Sequence, residues 1–216
     1  MKSDCLLTRR VGSSKEEFRR YYEEHHALLG MKYFRFEKYI RNHLIWASED
    51  VDFDCLSEFW QDTAAAVAIM SSPVGDIFRE DERRFMDRAK IRPCGANEML
   101  LVGLPRVVDP TPTLKRIVLV AARPDVEAAG FIDETAAWAR GLVAKGYKAD
   151  RVMLDAMTSF PGTEPFPYAA LVSIWPSTGN ENNSIGSGPA SAARTVEVLV
   201  ESHESPPQQL AALYSP

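Results

Sequence analysis

Two adjacent histidines close the run Phe18-Arg19-Arg20-Tyr21-Tyr22-Glu23-Glu24-His25-His26, and an imidazole is the side chain best suited to moving a proton near neutral pH. Phe18, Tyr22 and Leu29 recur at the i, i+4, i+11 spacing of a buried helical stripe, so the histidines lie beside an apolar face. Aromatic surroundings shift an imidazole's pKa, and such shifts gather where chemistry is done. Tyr22 lies one turn before His26, so its hydroxyl can share the same bound molecule. Plainer roles stand beside these. A histidine on a helix flank is often a packed, hydrogen-bonded structural residue, and a tyrosine on the stripe is often core. His25 faces another way and reads as helix-face packing.

These side chains need elements to hold them. Ser13 or Ser14, with Glu17 close behind, opens a helix over 15–29, and Gly30 suits its C-terminal cap. Around it the first half predicts strands over 5–10, 36–46, 54–61 and 98–102. A second helix begins at Asp62 or Thr63, breaks at Pro73, and is followed by a short helix over 74–84. The second half predicts strands over 114–121, 151–157 and 168–175, a helix over 126–144 closed by Gly146, a helix over 190–200 and a weak strand over 211–214. Phe18 and Phe131 fall at the same point of their helices, and Trp60 and Trp175 close their third strands.

The expected fold is therefore α+β, with tandem ferredoxin-like β-α-β-β-α-β repeats at 1–104 and 114–216. Pro105, Pro110 and Pro112 mark residues 105–113 as a linker. Each repeat leaves one sheet face bare. Two such faces make a barrel-like core, closed within one chain or by pairing with a second copy, so a homodimer is one expected arrangement. The loop over 180–188, rich in Asn, Ser and Gly, is a candidate lid.

Composition narrows the function. The 216 residues are 45% hydrophobic and 25% charged with a net charge of −5, which gives ample core and no long basic run for nucleic acid. No stretch reaches the roughly 20 apolar residues that span a bilayer, and no signal-peptide pattern opens the chain. Cys5, Cys55 and Cys94 are an odd set without C-x-x-C spacing, so buried inert thiols in a reducing, cytoplasmic setting are expected, with no metal site. No glycine-rich phosphate motif is present.

Several segments together resemble the EthD-type proteins of the dimeric α+β barrel superfamily. Residues 18–29 resemble that family's helix, Tyr39-Ile40-Arg41-Asn42-His43 its second strand, and Asp52-Phe53-Asp54-Cys55-Leu56-Ser57-Glu58-Phe59-Trp60 its third. Asp81-Glu82-Arg83-Arg84-Phe85-Met86-Asp87 resembles the helix before its last strand. The segments cover residues 1–102 in the correct order; the second half matches in topology alone. One departure is Leu28, where the family often has proline. The resemblance implies a pocket between sheet and helices, with no bound cofactor and with acid–base chemistry on small organic molecules. It carries the helix histidine onto His26, the strand histidine onto His43, the strand acid onto Glu58, the tryptophan onto Trp60 and the terminal carboxylate onto Asp87.

Strand parity sorts these residues. Tyr39, Arg41 and His43 share one face, a possible phenol donor, cation and base, or a strand histidine bonded to its surroundings. Glu58 and Trp60 share a face with Leu56. An acid beside a tryptophan can be buried with a raised pKa and act as a general acid, or it can pair with an arginine. Asp87 can orient an imidazole or cap a turn. In the second half Ala139 stands where His26 stands in the first, so that half lacks the imidazole. The expected activity is a cofactor-independent lyase or isomerase that eliminates water or a small carbonyl fragment from a small aromatic or polyketide-like molecule, with His26, Asp87 and His43 catalytic and Tyr22, Tyr39, Arg41, Glu58 and Trp60 around the substrate. The alternatives are a cofactor-free or haem-dependent oxygenase, and a non-catalytic binding protein.

Overall fold

The computed structural model describes residues 1–105, 108, 111–180 and 183–215. Eight of the described segments are strands: β1 (Lys2–Leu7), β2 (Lys38–Ala47), β3 (Cys55–Trp60), β4 (Arg92–Val102), β5 (Thr113–Ala122), β6 (Ala149–Ser159), β7 (Ala170–Pro176) and β8 (Ala192–Glu204). They close a barrel in the order β1-β3-β2-β8-β5-β7-β6-β4, every pair antiparallel. Closure leaves no strand edge with unpaired backbone groups. Within each half the order is equivalent, β4-β1-β3-β2 and β8-β5-β7-β6, and the halves join at β2–β8 and β4–β6. One chain thus builds the whole barrel. Of the expected linker, residues 106, 107, 109 and 110 lie outside the described residues.

The first half follows the expected element order. Its helices are α1 (Lys15–Tyr21), α2 (Ala27–Tyr33), α3 (Thr63–Met70) and α4 (Pro73–Phe85). Ser14 is the cap of α1: its hydroxyl accepts from the Glu17 amide at 3.1 Å and its own amide donates to the Glu17 carboxylate at 2.8 Å. The expected stop at Gly30 is wrong. The helix runs on to Tyr33, because the apolar face continues through Met31 into the packing beneath it. Asp62 caps α3, and Ser72 with Pro73 opens α4.

The second half departs from a repeat. After α5 (Ala128–Ala144), β6 and β7 the next described element is β8, followed by α6 (Pro207–Leu213). The helix expected over 190–200 is therefore strand, and the strand expected over 211–214 is largely helix. Both corrections have local causes. Val196, Val198 and Val200 recur at every second residue and fill the barrel interior, a period of two. Pro207 sits at the first turn of α6, where its missing N–H costs nothing, and Leu210 and Leu213 join the first half's core. The second half thus reads β-α-β-β-β-α.

Three packed groups arise from this layout. Phe18, Tyr22, Met31 and Phe85 pack between the first-half helices and the sheet, and Phe131, Ala136 and Ala139 do so under α5. The third fills the barrel. One end is apolar, with Leu56, Ile117, Leu119 and Val198 under Phe53, Phe166 and Tyr168. The other end is ionic: Lys2, Asp4, Glu58, Lys115 and Asp155 are all buried. Lys115 on β5 bonds Glu58 on β3 at 2.6 Å, and Lys2 on β1 bonds Asp155 on β6 at 2.7 Å, so these bonds cross the interior between strands that are not neighbours. No described helix is long and apolar enough to cross a membrane.

Candidate active site

Between α1 and α2 the helix widens for one turn, Tyr22–His26, where the Ala27 amide bonds back to the Tyr22 carbonyl in the i→i+5 pattern of a π-helix. Such single π turns recur at functional sites. The wide turn rotates α2 relative to α1 and divides four rings between two faces. Tyr21 and His25 stack outside with centroids 4.8 Å apart, while Tyr22 and His26 meet edge to face inside at 5.2 Å. His25 is therefore an outer-face residue, as expected.

Tyr22 and His26 form part of the wall of a cavity of about 410 Å3 between the first half's helices and its sheet. Phe36, Tyr39 and Phe59 make its flat floor, stacked with interplanar angles of 20–28°. Ala66, Val67 and Met70 of α3 stand opposite, although no residue of α3 is buried. Among the described residues the second half has no helix between β7 and β8, and so no wall like the one that α3 gives this chamber. The loop expected to act as a lid lies elsewhere. The Ile185 amide bonds Glu197 at 3.2 Å and Trp138 donates to the Ser187 carbonyl at 3.0 Å, over the second half; residues 181 and 182 lie outside the described residues.

His26 is positioned by a carboxylate. Its Nδ1 lies 2.7 Å from Asp81 Oδ2, and the Tyr21 hydroxyl donates to the other Asp81 oxygen at 2.8 Å. Burial would raise the Asp81 carboxyl, but the bonds from His26 and Tyr21 hold it below its ordinary value. A carboxylate accepting from Nδ1–H fixes the tautomer that leaves a lone pair on Nε2. Phe78 and Phe85 pack on the ring at centroid distances of 5.9 and 5.0 Å. Asp81 belongs to α4, where Phe78, Asp81, Glu82 and Phe85 share one face at i, i+3, i+4, i+7. That spacing is the signal that could have found it.

Asp87 does not orient the imidazole. It lies beyond the end of α4 and its carboxylate caps the following turn, accepting from the Ala89 amide at 3.1 Å.

On β2 the expected face is real, but only Tyr39 reaches the chamber. Its hydroxyl donates to Tyr22 at 3.0 Å, and Tyr22 shares a hydrogen bond of 2.6 Å with Ser57. Burial raises both phenols well above their ordinary values, so they stay neutral. Arg41 and His43 lie beneath the π turn instead, clamped on Glu23: Arg41 NH2 at 2.7 Å and His43 Nε2 at 2.6 Å. Their geometry is that of a brace.

That brace has a pH consequence. Burial alone would raise the Glu23 carboxyl, yet His43 and Arg41 hold it down to about 2. Its contribution is thus complete above the unfolded value of about 4.3 and is lost as pH falls through about 2. Burial also lowers His43, with Glu23 offsetting part of that shift, so the unfolded chain takes that proton first once pH drops below about 6.5. Both effects make stability fall with acid. Urea midpoints measured at pH 7, 5 and 3 are expected to fall steadily, and Glu23→Gln is expected to flatten the part between pH 5 and 3; parallel curves would exclude the brace.

Glu58 and Trp60 face away from the chamber. Their parity puts Glu58 in the ionic end of the barrel, where it meets Lys115 at 2.6 Å, Lys2 at 2.9 Å and Asn42 at 2.8 Å. Of the two readings of Glu58 the paired one matches, with lysines in place of an arginine: burial pushes upward, but Lys115 and Lys2 hold the carboxyl well below its ordinary value. Trp60 packs under the ammonium groups of Lys38 and Lys2, at 4.1 and 4.8 Å. Phe59, one residue earlier, is the chamber aromatic.

Among the described residues one group has metal-ligand spacing: oxygens of Glu58, Glu98 and Asp155 lie within 4.8 Å of one another. The Lys2 ammonium already sits among them at 2.9, 3.3 and 2.7 Å. The three thiols are buried, and burial pushes Cys55 up to about 12, as inert cysteines require. The chamber itself is nearly free of charge, with Glu82 and His26 the ionisable groups beside its phenols and the Cys5 thiol. A haem or a flavin would bring carboxylates or phosphates to a described wall with no lysine or arginine to meet them, so the residues present do not fit either group.

Residues 10–89 match the family model described as EthD domain. No curated protein matches the chain by sequence. The fold is similar to that of an anthrone oxidase-like protein, with a TM-score of 0.58 and 10% identity over 94% of this chain and 92% of the other. It is also similar to two proteins described as "putative monooxygenase". One, from Fusobacterium nucleatum subsp. nucleatum ATCC 25586, has a TM-score of 0.56 and 7% identity over 94% of this chain and 91% of its own. The other, from Lactobacillus acidophilus NCFM, has a TM-score of 0.50 and 13% identity over 93% and 92%. At such identities the likeness is one of fold. Residues 10–89 thus match the EthD domain, within an eight-stranded barrel that one chain closes by itself.

Proposed function

We propose that this protein is a cofactor-free oxygenase acting on a small, neutral, ring-bearing molecule with an acidic C–H, and that His26 is its base. This replaces the lyase or isomerase expected from sequence. The solved structures of similar fold are described as oxidase-like or as monooxygenases, and none of those three is described as a lyase or isomerase. The observation that carries the reading is the His26–Asp81 pair, 2.7 Å apart, at the wall of an apolar aromatic chamber.

A ring methylene acidified by a neighbouring carbonyl loses a proton to Nε2. The resulting anion gives one electron to dioxygen, and the radical pair joins as a peroxide anion, which takes the proton back from His26 to become a hydroperoxide. His26 then removes the second proton of that carbon as the O–O bond breaks, and the departing hydroxide receives it, leaving a carbonyl and water. The carbon supplies all four electrons that dioxygen accepts, so no outside reductant is needed. Apolar walls suit this course, since they admit dioxygen and exclude the water that would quench the anion.

The test is turnover of ring ketones bearing an activated methylene, in air and under nitrogen, with no added metal or reductant. One dioxygen consumed per carbonyl formed, with the isotope label of 18O2 in the product, is expected. Equal turnover under nitrogen would overturn the proposal.

A further inference from the structure

One helical wall of the chamber is a single stripe. Tyr22, His26, Gly30 and Phe34 recur at every fourth residue and all four line the cavity. Three of them present a ring, and Gly30 presents nothing. Glycine is among the poorest helix formers, and this one sits inside α2, away from the end that it was expected to cap. Its backbone does not need the freedom of glycine either, for it is not among the residues with positive φ. A Cβ there would meet the Phe36 ring at 3.5 and 3.8 Å, an ordinary contact, so close packing does not forbid alanine. What the missing side chain leaves is space, one helical turn or about 6 Å along the axis from His26.

We propose that the notch over Gly30, edged by the Phe36 ring, is a binding subsite for an apolar part of the ligand remote from the reacting carbon, such as a second ring or a short alkyl arm. It sets the size of molecule that can lie with one end against His26. This rests on the chamber being the substrate site, and does not depend on the oxygen chemistry.

Binding therefore tests it without turnover. Dissociation constants for phenol and for 1-naphthol are measured by calorimetry on the wild type, Gly30→Ala and Gly30→Leu. The wild type is expected to hold 1-naphthol more tightly than phenol. Gly30→Leu is expected to weaken 1-naphthol by roughly tenfold or more, as the second ring is driven out of the notch, while phenol changes less than about twofold. Gly30→Ala is expected to fall between, with a thermal midpoint at or above that of the wild type, which shows that the fold is intact. Equal losses for both ligands, no loss for either, or no preference for 1-naphthol in the wild type would each overturn the subsite. A failed oxygen-uptake assay with the binding pattern intact would overturn the oxygenase and leave the notch standing.

Discussion

Replacing His26 by alanine is expected to lower turnover by roughly 10²- to 10⁴-fold, the range for a lost general base. Its surroundings single it out. Phe78, Phe85 and Tyr22 pack around its ring, and Asp81 commits one ring nitrogen and so frees the other. Asp81→Asn is expected to cost less in turnover than the loss of the ring. It preserves the contact but no longer enforces the tautomer. Initial rates of dioxygen uptake across pH 5–9 provide the measurement. If His26→Ala retains wild-type kcat, the base lies elsewhere and the proposed chemistry is wrong.

The second large effect is on stability and lies in the barrel. Glu58→Leu is expected to destabilise the fold by about 3–5 kcal/mol, the usual cost of breaking a buried ionic network by removing one partner. Lys115 is fully buried with Glu58 bonded to its ammonium, and Lys2 would lose one of its carboxylates. Asp4 cannot substitute. Both its oxygens are buried without a hydrogen-bond partner, and burial raises its carboxyl well above the ordinary range, so it stays a neutral acid at higher pH. The double variant Glu58→Leu with Lys115→Met removes both charges together and is expected to recover most of the loss. Urea unfolding followed by far-UV circular dichroism gives both values. A double variant no more stable than Glu58→Leu would mean that the network's worth does not lie in this pair.

The sequence carried some layers of this molecule openly and hid others. Ser14, Glu17, Pro73 and Gly146 act over three or four residues, so the elements that they punctuate were legible. Period-two parity groups Tyr39 with Arg41 and His43, and Glu58 with Trp60, but it does not relate residues on different strands or say which face is chamber and which is lumen. Only the register, which pairs Tyr39 with Phe59 and Ile40 with Glu58, puts Glu58 in the barrel interior. The valine alternation of β8 was visible and was read as helix because a repeat was expected there. Asp81 and Asp87 are both carboxylates near a run of arginines; only the face shared with Phe78 and Phe85 distinguishes them. The π turn left no readable mark, since a single wide turn has no spacing of its own. The ionic cluster was beyond reach for a different reason. It joins residues brought together only when strands from both halves close around one another.

The passage from β7 into β8 has a wider consequence. When a barrel is assembled from two copies of one chain, symmetry obliges each copy to carry whatever the other carries, and every inserted wall appears twice. Here a peptide link between the halves dissolves that obligation. One side can keep the helices that enclose a guest while the other drifts toward pure scaffolding, and mutations that would spoil a working cleft are harmless on the far side. A chamber walled on one side of the barrel is what such released symmetry permits.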